Sequence, residues 1–203
     1  AIGVEPPKHL QGYDFLAEKK QPREYVFAAR DRCDGTVDRI RCVRSKQYKY
    51  IRNYYPDKPY TQFNAYKKLQ YPALTAMQVL HKEGKLTPDQ ERFMAPTRPP
   101  EEFYDLQQDP YELHNLAGDR KHKSAMRKHS RKLDEWIKAT GDRGETPEDP
   151  KVIEQAQNEM ATSFIEAMGK RDLSPTVSDE GYLKWWEQKL LGAGASRPDA
   201  VGG

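Results

Sequence analysis

Arg98-Pro99-Pro100-Glu101-Glu102-Phe103-Tyr104-Asp105-Leu106-Gln107-Gln108-Asp109-Pro110-Tyr111-Glu112-Leu113-His114-Asn115-Leu116-Ala117 reads as one short strand, a turn and the approach to a helix. Phe103, Tyr104 and Leu106 are strand-type residues, and Tyr104 and Leu106 fall on one face at period two. Asp109-Pro110 stops the strand, because proline offers no N–H to a ladder and its ring fixes φ. Aspartate followed by proline suits the first two positions of a type I turn. Asn115 is a candidate helix cap, and the chain is helix-compatible from Ala117 onward.

Upstream, Asp38 to Tyr55 is the clearest hairpin. Arg39-Ile40-Arg41-Cys42-Val43-Arg44 alternates, Ser45-Lys46-Gln47 turns, and Tyr48-Lys49-Tyr50-Ile51-Arg52-Asn53-Tyr54 alternates again. Tyr25-Val26-Phe27 is a short apolar run of strand type, leading into a polar loop, Arg30-Asp31-Arg32-Cys33-Asp34-Gly35. Pro56 to Tyr71 reads as a loop. Pro72 to Lys85 reads as a helix stopped at Gly84, and Thr87-Pro88-Asp89-Gln90 as the capped start of a short one.

Downstream, His122 to Thr140 is a stronger helix with Met126, Leu133, Trp136 and Ile137 at helical spacing and Gly141 as its stop. Glu145 to Pro150 reads as a linker. Lys151 to Met168 and Asp179 to Leu191 read as two further helices, and a Gly/Ala/Ser/Pro tail from Gly192 reads as disordered. The expected fold is α+β: a small antiparallel sheet packed by helices at 23–144, a helical C-terminal extension at 145–191, and a tail at 192–203.

Composition bounds the function. Apolar residues make up 36% and charged residues 32% of 203, mean hydropathy is −1.01, and there are fifteen prolines and thirteen glycines. That is polar for a self-contained enzyme, so the chain reads as a piece that packs on something else, or as a small core with long surface segments. Thirty-four basic residues against 31 acidic ones give a net charge of +3, which does not by itself call for nucleic acid. Cys33 and Cys42 have no zinc spacing; a disulfide between them and two free thiols both stay open. No apolar run approaches membrane-spanning length. No signal-peptide pattern starts at Ala1, which says nothing of a leader further upstream.

Three runs together resemble formylglycine-dependent sulfatases. The pattern E-x-Y-D-L-x-x-D-P-x-E-x-x-N-L-A resembles their C-terminal signature, carried here by Tyr104, Asp105, Leu106, Asp109, Pro110, Glu112, Asn115, Leu116 and Ala117. The hairpin is similar to their V-R-T-x-x-Y-K-Y-I-R-N run through Val43, Arg44, Tyr48, Lys49, Tyr50, Ile51, Arg52 and Asn53, with Ser45 in place of the threonine. Ile2, Gly3, Pro6, Pro7, Gln11 and Gly12 match A-G-I-x-x-P-x-x-x-Q-G, which in that family leaves the last helix of the catalytic domain. The resemblance implies that residues 1–22 are the end of, or a connector from, an N-terminal catalytic domain missing from this chain. The heparan N-sulfatase-like subgroup is most similar, by the spacing from Phe27-Ala28 to Val43-Arg44 and by the Asp109-Pro110 run. That subgroup carries histidines in part of the loop where this chain has Arg30 to Asp34, so N-sulfoglucosamine is not carried over as substrate.

The family's nucleophile is a formylglycine made within C-x-P-S-R, working beside calcium. Cys33 is followed by Asp34-Gly35-Thr36-Val37 and Cys42 by Val43-Arg44-Ser45-Lys46, so neither fits, and neither the paired-Asp start nor the Asp-Asn dyad that together hold calcium in that family is found. Both cofactors are therefore expected in the missing domain, and this chain alone is expected to be catalytically silent. Its expected contribution is a wall of the cleft that selects a sulfated carbohydrate. Arg30 and Arg32 would grip sulfate by paired N–H donors, and Asp31 and Asp34 would accept from sugar hydroxyls. The resemblance also implies export to the periplasm, the cell exterior or lysosomes.

Two readings from other classes stand beside this one. Arg39, Arg41, Arg44, Lys46, Lys49 and Arg52, interleaved with tyrosines, form the case for a nucleic-acid-binding sheet, weighed against by the near balance of charge. A non-catalytic scaffold is the other, its tail helix docking a partner through Trp185 and Trp186. His81, His114, His122 and His129 lack metal spacing and read as surface or capping residues.

Overall fold

The structure, a computed structural model, describes Gly12 and residues 22–192. The family-like run at the start of the chain, Gly12 excepted, and the tail from residue 193 lie outside these. Four strands, β1 (Val26–Cys33), β2 (Thr36–Arg44), β3 (Tyr48–Asn53) and β4 (Glu101–Asp105), form one antiparallel sheet in the order β1-β2-β3-β4. The helices are α1 (Ala65–Gln70), α2 (Pro72–Lys82), α3 (Pro88–Met94), α4 (Lys123–Thr140), α5 (Pro150–Gly169) and α6 (Asp179–Leu191). The architecture is α+β, as the sequence implies.

The register explains the first core. Phe27 pairs with Val43, Val43 with Tyr50 and Tyr50 with Phe103, so one apolar row crosses all four strands on a single face. Helix α4 lies over that row. Its fully buried Leu133, flanked by Met126, Trp136 and Ile137, packs on Val43, Tyr50 and Phe103. Each such large side chain contributes roughly 1.5–3 kcal/mol on burial. Trp136 stacks on Phe27 with ring centroids 5.2 Å apart. Gly141, in the left-handed region at φ 61°, ends the helix where the sequence places its stop.

A second core is built by the chain's last third. Met168 on α5 and Tyr182 on α6, both fully buried, pack with Ala65 and Leu69 of α1. Lys68 of α1 and Lys82 of α2 reach Asp179 at 2.6 and 2.8 Å, tying the two helix pairs together. The segment between β3 and β4 is thus clasped by residues far downstream. The tip of the β1–β2 hairpin meets the same clasp. A side chain on Gly35 would stand 2.8 Å from the Gln157 backbone of α5, so only glycine fits there.

Several expectations change. The polar run after Phe27 continues β1 as far as Cys33, and only Asp34-Gly35 turns. The 56–71 stretch contains helix α1, whose first turn is capped by the Asn64 side chain on the Lys67 N–H. Asn115 caps no helix. Its Oδ1 accepts from Phe103 N–H and Ala117 N–H while its amide donates to the Glu101 carbonyl, so it pins the turn to β4. Trp185 and Trp186 pack within the second core beside Tyr182 rather than standing out for a partner. Cys33 and Cys42 are free thiols.

His129 is a core residue, not a surface one. It is 4% exposed, ringed by Tyr25, Tyr48 and Phe103, with Nδ1 donating to the Ala125 carbonyl at 2.8 Å and Nε2 facing the Ser45 hydroxyl at 3.0 Å. Burial pushes its pKa below the usual imidazole value. The unfolded chain therefore binds this proton more readily than the folded one. The stability involved is fully present above about pH 6.5 and is lost as pH falls from there through the folded pKa. Thermal melts between pH 8 and pH 5 are expected to fall with acidification, and His129→Gln to flatten that dependence. Parallel curves for the two proteins would refute the assignment.

Candidate functional site

The four sequence-nominated residues sit at the β1–β2 hairpin, where the ladder is irregular. Arg30 pairs with Ile40 and Arg32 with Val37, so Asp31 alone faces both Asp38 and Arg39. Such a bulge turns side chains away from strict alternation. Here it aims Asp38 inward to 3% exposure.

Asp31 meets a buried guanidinium. Arg41 is 1% exposed, donates to Asp31 at 2.8 and 3.2 Å, and donates to Asp142 at 2.5 and 2.8 Å. It also reaches the Arg30 and Ile40 carbonyls. Every face of the fork is thus used, and the Arg41 bond holds the Asp142 carboxyl below the usual carboxylate range. Gly144 lies so close that an added Cβ would stand 1.7 Å from an Arg41 Nη.

Arg32 points to the 145–150 segment. Its Nε and Nη2 meet the Glu148 carboxylate at 2.8 and 3.2 Å, and Nη1 donates to the Asp34 carbonyl at 2.7 Å. Asp34 takes the left-handed turn position at φ 53° and accepts from the Asn64 amide at 3.3 Å. Arg30 has its Nε buried without a hydrogen-bond partner among the described residues. Asp31 and Arg32 are therefore drawn to one neighbourhood, with Asp34 at the tip and Arg30 a step back along β1.

That neighbourhood is concave. A cleft of about 520 Å³ opens between the hairpin and the chain after α4, lined among others by Asp31, Arg39, Tyr55, Arg143 and Glu148. The Arg39 guanidinium stands over the Tyr54 ring, 3.8 Å from its centroid, and pairs with Glu145 at 3.3 Å. Behind the cleft, Arg98 and Asp38 form an ion pair with both side chains 1% exposed. Burial alone would raise the Asp38 carboxyl, but Arg98 and the Arg39 N–H outweigh it and hold it low.

The acids beside the cleft are thus matched by the chain's own arginines: Asp31 and Asp142 by Arg41, Asp38 by Arg98, Glu148 by Arg32. Arg143, exposed at the mouth, has no ion pair or side-chain hydrogen bond among the described residues. Sequence reasoning missed Arg143 and placed Arg39 only in the basic series along the sheet. The one available signal was the Asp142-Arg143-Gly144 run just past a helix stop, which read as a boundary.

A metal or nucleophile does not fit here. Among the described residues no three His, Cys, Asp or Glu side chains are grouped to hold a metal. Burial pushes the Cys42 thiol up, away from the thiolate form. The basic series across β2 and β3 makes no single face. Arg41 is buried, Lys49 pairs with Glu112 at 2.6 Å, and Arg52 pairs with Asp134 at 2.7 Å on the side covered by α4.

No family profile matches the chain. An ulvan-active sulfatase of Formosa agariphila is 38% identical over 148 residues, which are 72% of this chain and 25% of that protein. A second ulvan-active sulfatase of the same organism is 30% identical over 145 residues, 67% of this chain and 26% of that protein. The chain spans about a quarter of the length of these relatives. Among solved structures, a putative sulfatase from Bacteroides thetaiotaomicron aligns with TM-score 0.45 at 21% identity, covering 74% of this chain and 25% of that one. A 2-O GAG sulfatase aligns with TM-score 0.46 at 21% identity, covering 74% and 26%.

Proposed function

Because these residues are homologous to the C-terminal portion of sulfatases, we propose that they form one wall of a substrate cleft whose nucleophile lies in a catalytic domain outside this segment. The complete enzyme hydrolyses sulfate esters of a sulfated carbohydrate. Formylglycine and calcium belong to the other domain, since the donors described above fit neither. The curated relatives act on ulvan by name, which favours a sulfated polysaccharide as the substrate class here. A polymer of that kind lies outside the cell, so the protein works there or in the periplasm.

The observation that carries this reading is the charge balance of the cleft. Its acids are neutralised from within, and Arg143 is left facing solvent, free to take a sulfate oxygen pair. Arg39, held over Tyr54 and paired with the exposed Glu145, adds a second cation. Asp31 is oriented by Arg41, so its remaining lone pairs can accept from a sugar hydroxyl. Arg30, Arg32 and Asp34 shape the hairpin tip, with Arg32 held by Glu148.

The test is kinetic, in the full-length enzyme on a sulfated oligosaccharide. A charge-assisted hydrogen bond contributes about 1.5–3 kcal/mol, so Arg143→Ala is expected to lower kcat/KM roughly 10- to 150-fold. Arg30→Ala and Arg32→Ala are expected to lower turnover by less. Melting temperatures of all three variants should stay near that of the parent. Kinetics indistinguishable from the parent in all three would sink the proposed cleft.

A further inference from the structure

Helix α4 carries a feature that neither the fold nor the cleft uses. Lys123, Arg127 and Arg131 stand at i, i+4 and i+8 on one exposed face, and Arg120 precedes them in a short 3-10 turn. The four cations line a shallow groove of about 560 Å³ together with Ser124 and Ser130. None of the four has an ion pair or side-chain hydrogen bond among the described residues.

Acids do stand nearby, but each is engaged elsewhere. Asp119 meets His122 at 2.9 Å, Glu101 accepts from the Tyr50 hydroxyl at 2.5 Å, and Asp134 holds Arg52. The placement also opposes the helix itself. No acid stands in the first turn of α4, and Arg120 and Lys123 stand at the end where the backbone dipole is already positive. The stripe therefore has no structural stabilisation to explain it, and its field adds to that of the helix end.

We propose that this stripe is a second anchoring surface for a sulfated polysaccharide, gripping sulfate groups of the same polymer whose reacting unit occupies the cleft. The inference rests on the sulfatase reading above. Geometry favours a regular polyanion. Successive cations on α4 are roughly 6 Å apart along the axis, and the stripe begins roughly 27 Å from the Gly141 end of the helix beside the cleft. One extended chain can touch both ends. Exposed Ser124 offers a hydroxyl to sugar or sulfate oxygens, and no exposed aromatic lines the groove for base stacking, which weighs against single-stranded nucleic acid.

The experiment compares the full-length enzyme with a variant carrying Arg120→Gln, Lys123→Gln, Arg127→Gln and Arg131→Gln. Binding of heparin, chemically desulfated heparin and a DNA duplex is titrated across salt, and turnover of a small monosulfated sugar is measured alongside. Heparin affinity should fall at least ten-fold in the variant. Its dependence on salt should flatten by roughly three to four contacts' worth of counterion release, by analogy with other polyanions. The small sugar should be turned over as before, and the melting temperature should hold or rise as the dipole conflict is relieved. Equal heparin binding by both proteins would overturn the proposal, as would undiminished binding of the desulfated polymer or tighter binding of DNA. So would a variant that loses stability, which would mark the stripe as a packing surface. A parent enzyme inert on small sulfated sugars would instead overturn the sulfatase reading.

Discussion

Arg98→Met is expected to lower the melting temperature by roughly 6–20 °C, the equivalent of about 3–5 kcal/mol in a chain of this size. Arg98 and Asp38 are each 1% exposed at the side chain, so removal of the cation leaves a carboxylate that water cannot reach. The Arg39 N–H and the Gln62 amide, at 2.8 and 3.2 Å, remain as partners but carry no net charge. The loss is a substantial fraction of the whole folding free energy of an ordinary domain. Its pH dependence gives a second check. With Arg98 in place the Asp38 carboxyl sits low, and its stability is present above the unfolded carboxylate pKa and lost on acidification. Without Arg98 burial dominates, the folded pKa rises, and the variant should regain ground on the parent as pH falls toward 4. Asp38→Leu combined with Arg98→Met should restore most of the loss, since both charges are then gone. A single variant melting within 2 °C of the parent would show that the pair is not desolvated.

Arg41→Met is the next largest expected effect, about 3 kcal/mol. The Asp142 side chain, 13% exposed, would lose both of its bonds to the guanidinium. Asp31 is 53% exposed, so its share is discounted for solvent screening. The consequence reaches the cleft, because Arg41 joins the hairpin to the chain after α4. Arg41→Lys should recover little, since a point-like ammonium cannot fill a fork that serves two carboxylates and two carbonyls. The measurement is denaturant unfolding of both variants, with turnover followed in parallel. Full stability of Arg41→Lys would contradict the shared-fork geometry.

What was legible in the sequence follows physical lines. The period-two runs at 39–54 and the apolar row at Met126, Leu133, Trp136 and Ile137 are facts of one-sided burial, and they mark β2, β3 and α4 correctly. The Thr87 capping box was readable because its partners are three residues apart. Strand β1 was cut short because it is a sheet edge, where Arg30, Asp31 and Arg32 break the apolar pattern as edge strands commonly do. Helix α1 hid in proline- and tyrosine-rich chain because it is six residues long and owes its burial to α5 and α6, more than eighty residues away. At the cleft, Asp31 and Arg32 were nominated by charge, and Arg41 was read as part of an exposed basic series for the same reason. Nothing local distinguishes a buried guanidinium from a solvated one until the partners Asp142 and Asp31 are brought together.

The clasp around α1 and α2 bears on how the protein is made. Tyr182 follows Ala65 by 117 residues in the chain, which at ribosomal speed is roughly 6–23 s of synthesis. Helices and collapsed clusters form in microseconds. During translation the inserted segment therefore emerges complete, with the side that later meets Tyr182 and Met168 bare. It must wait in that state, in the cell's care, until the last helices arrive to close over it.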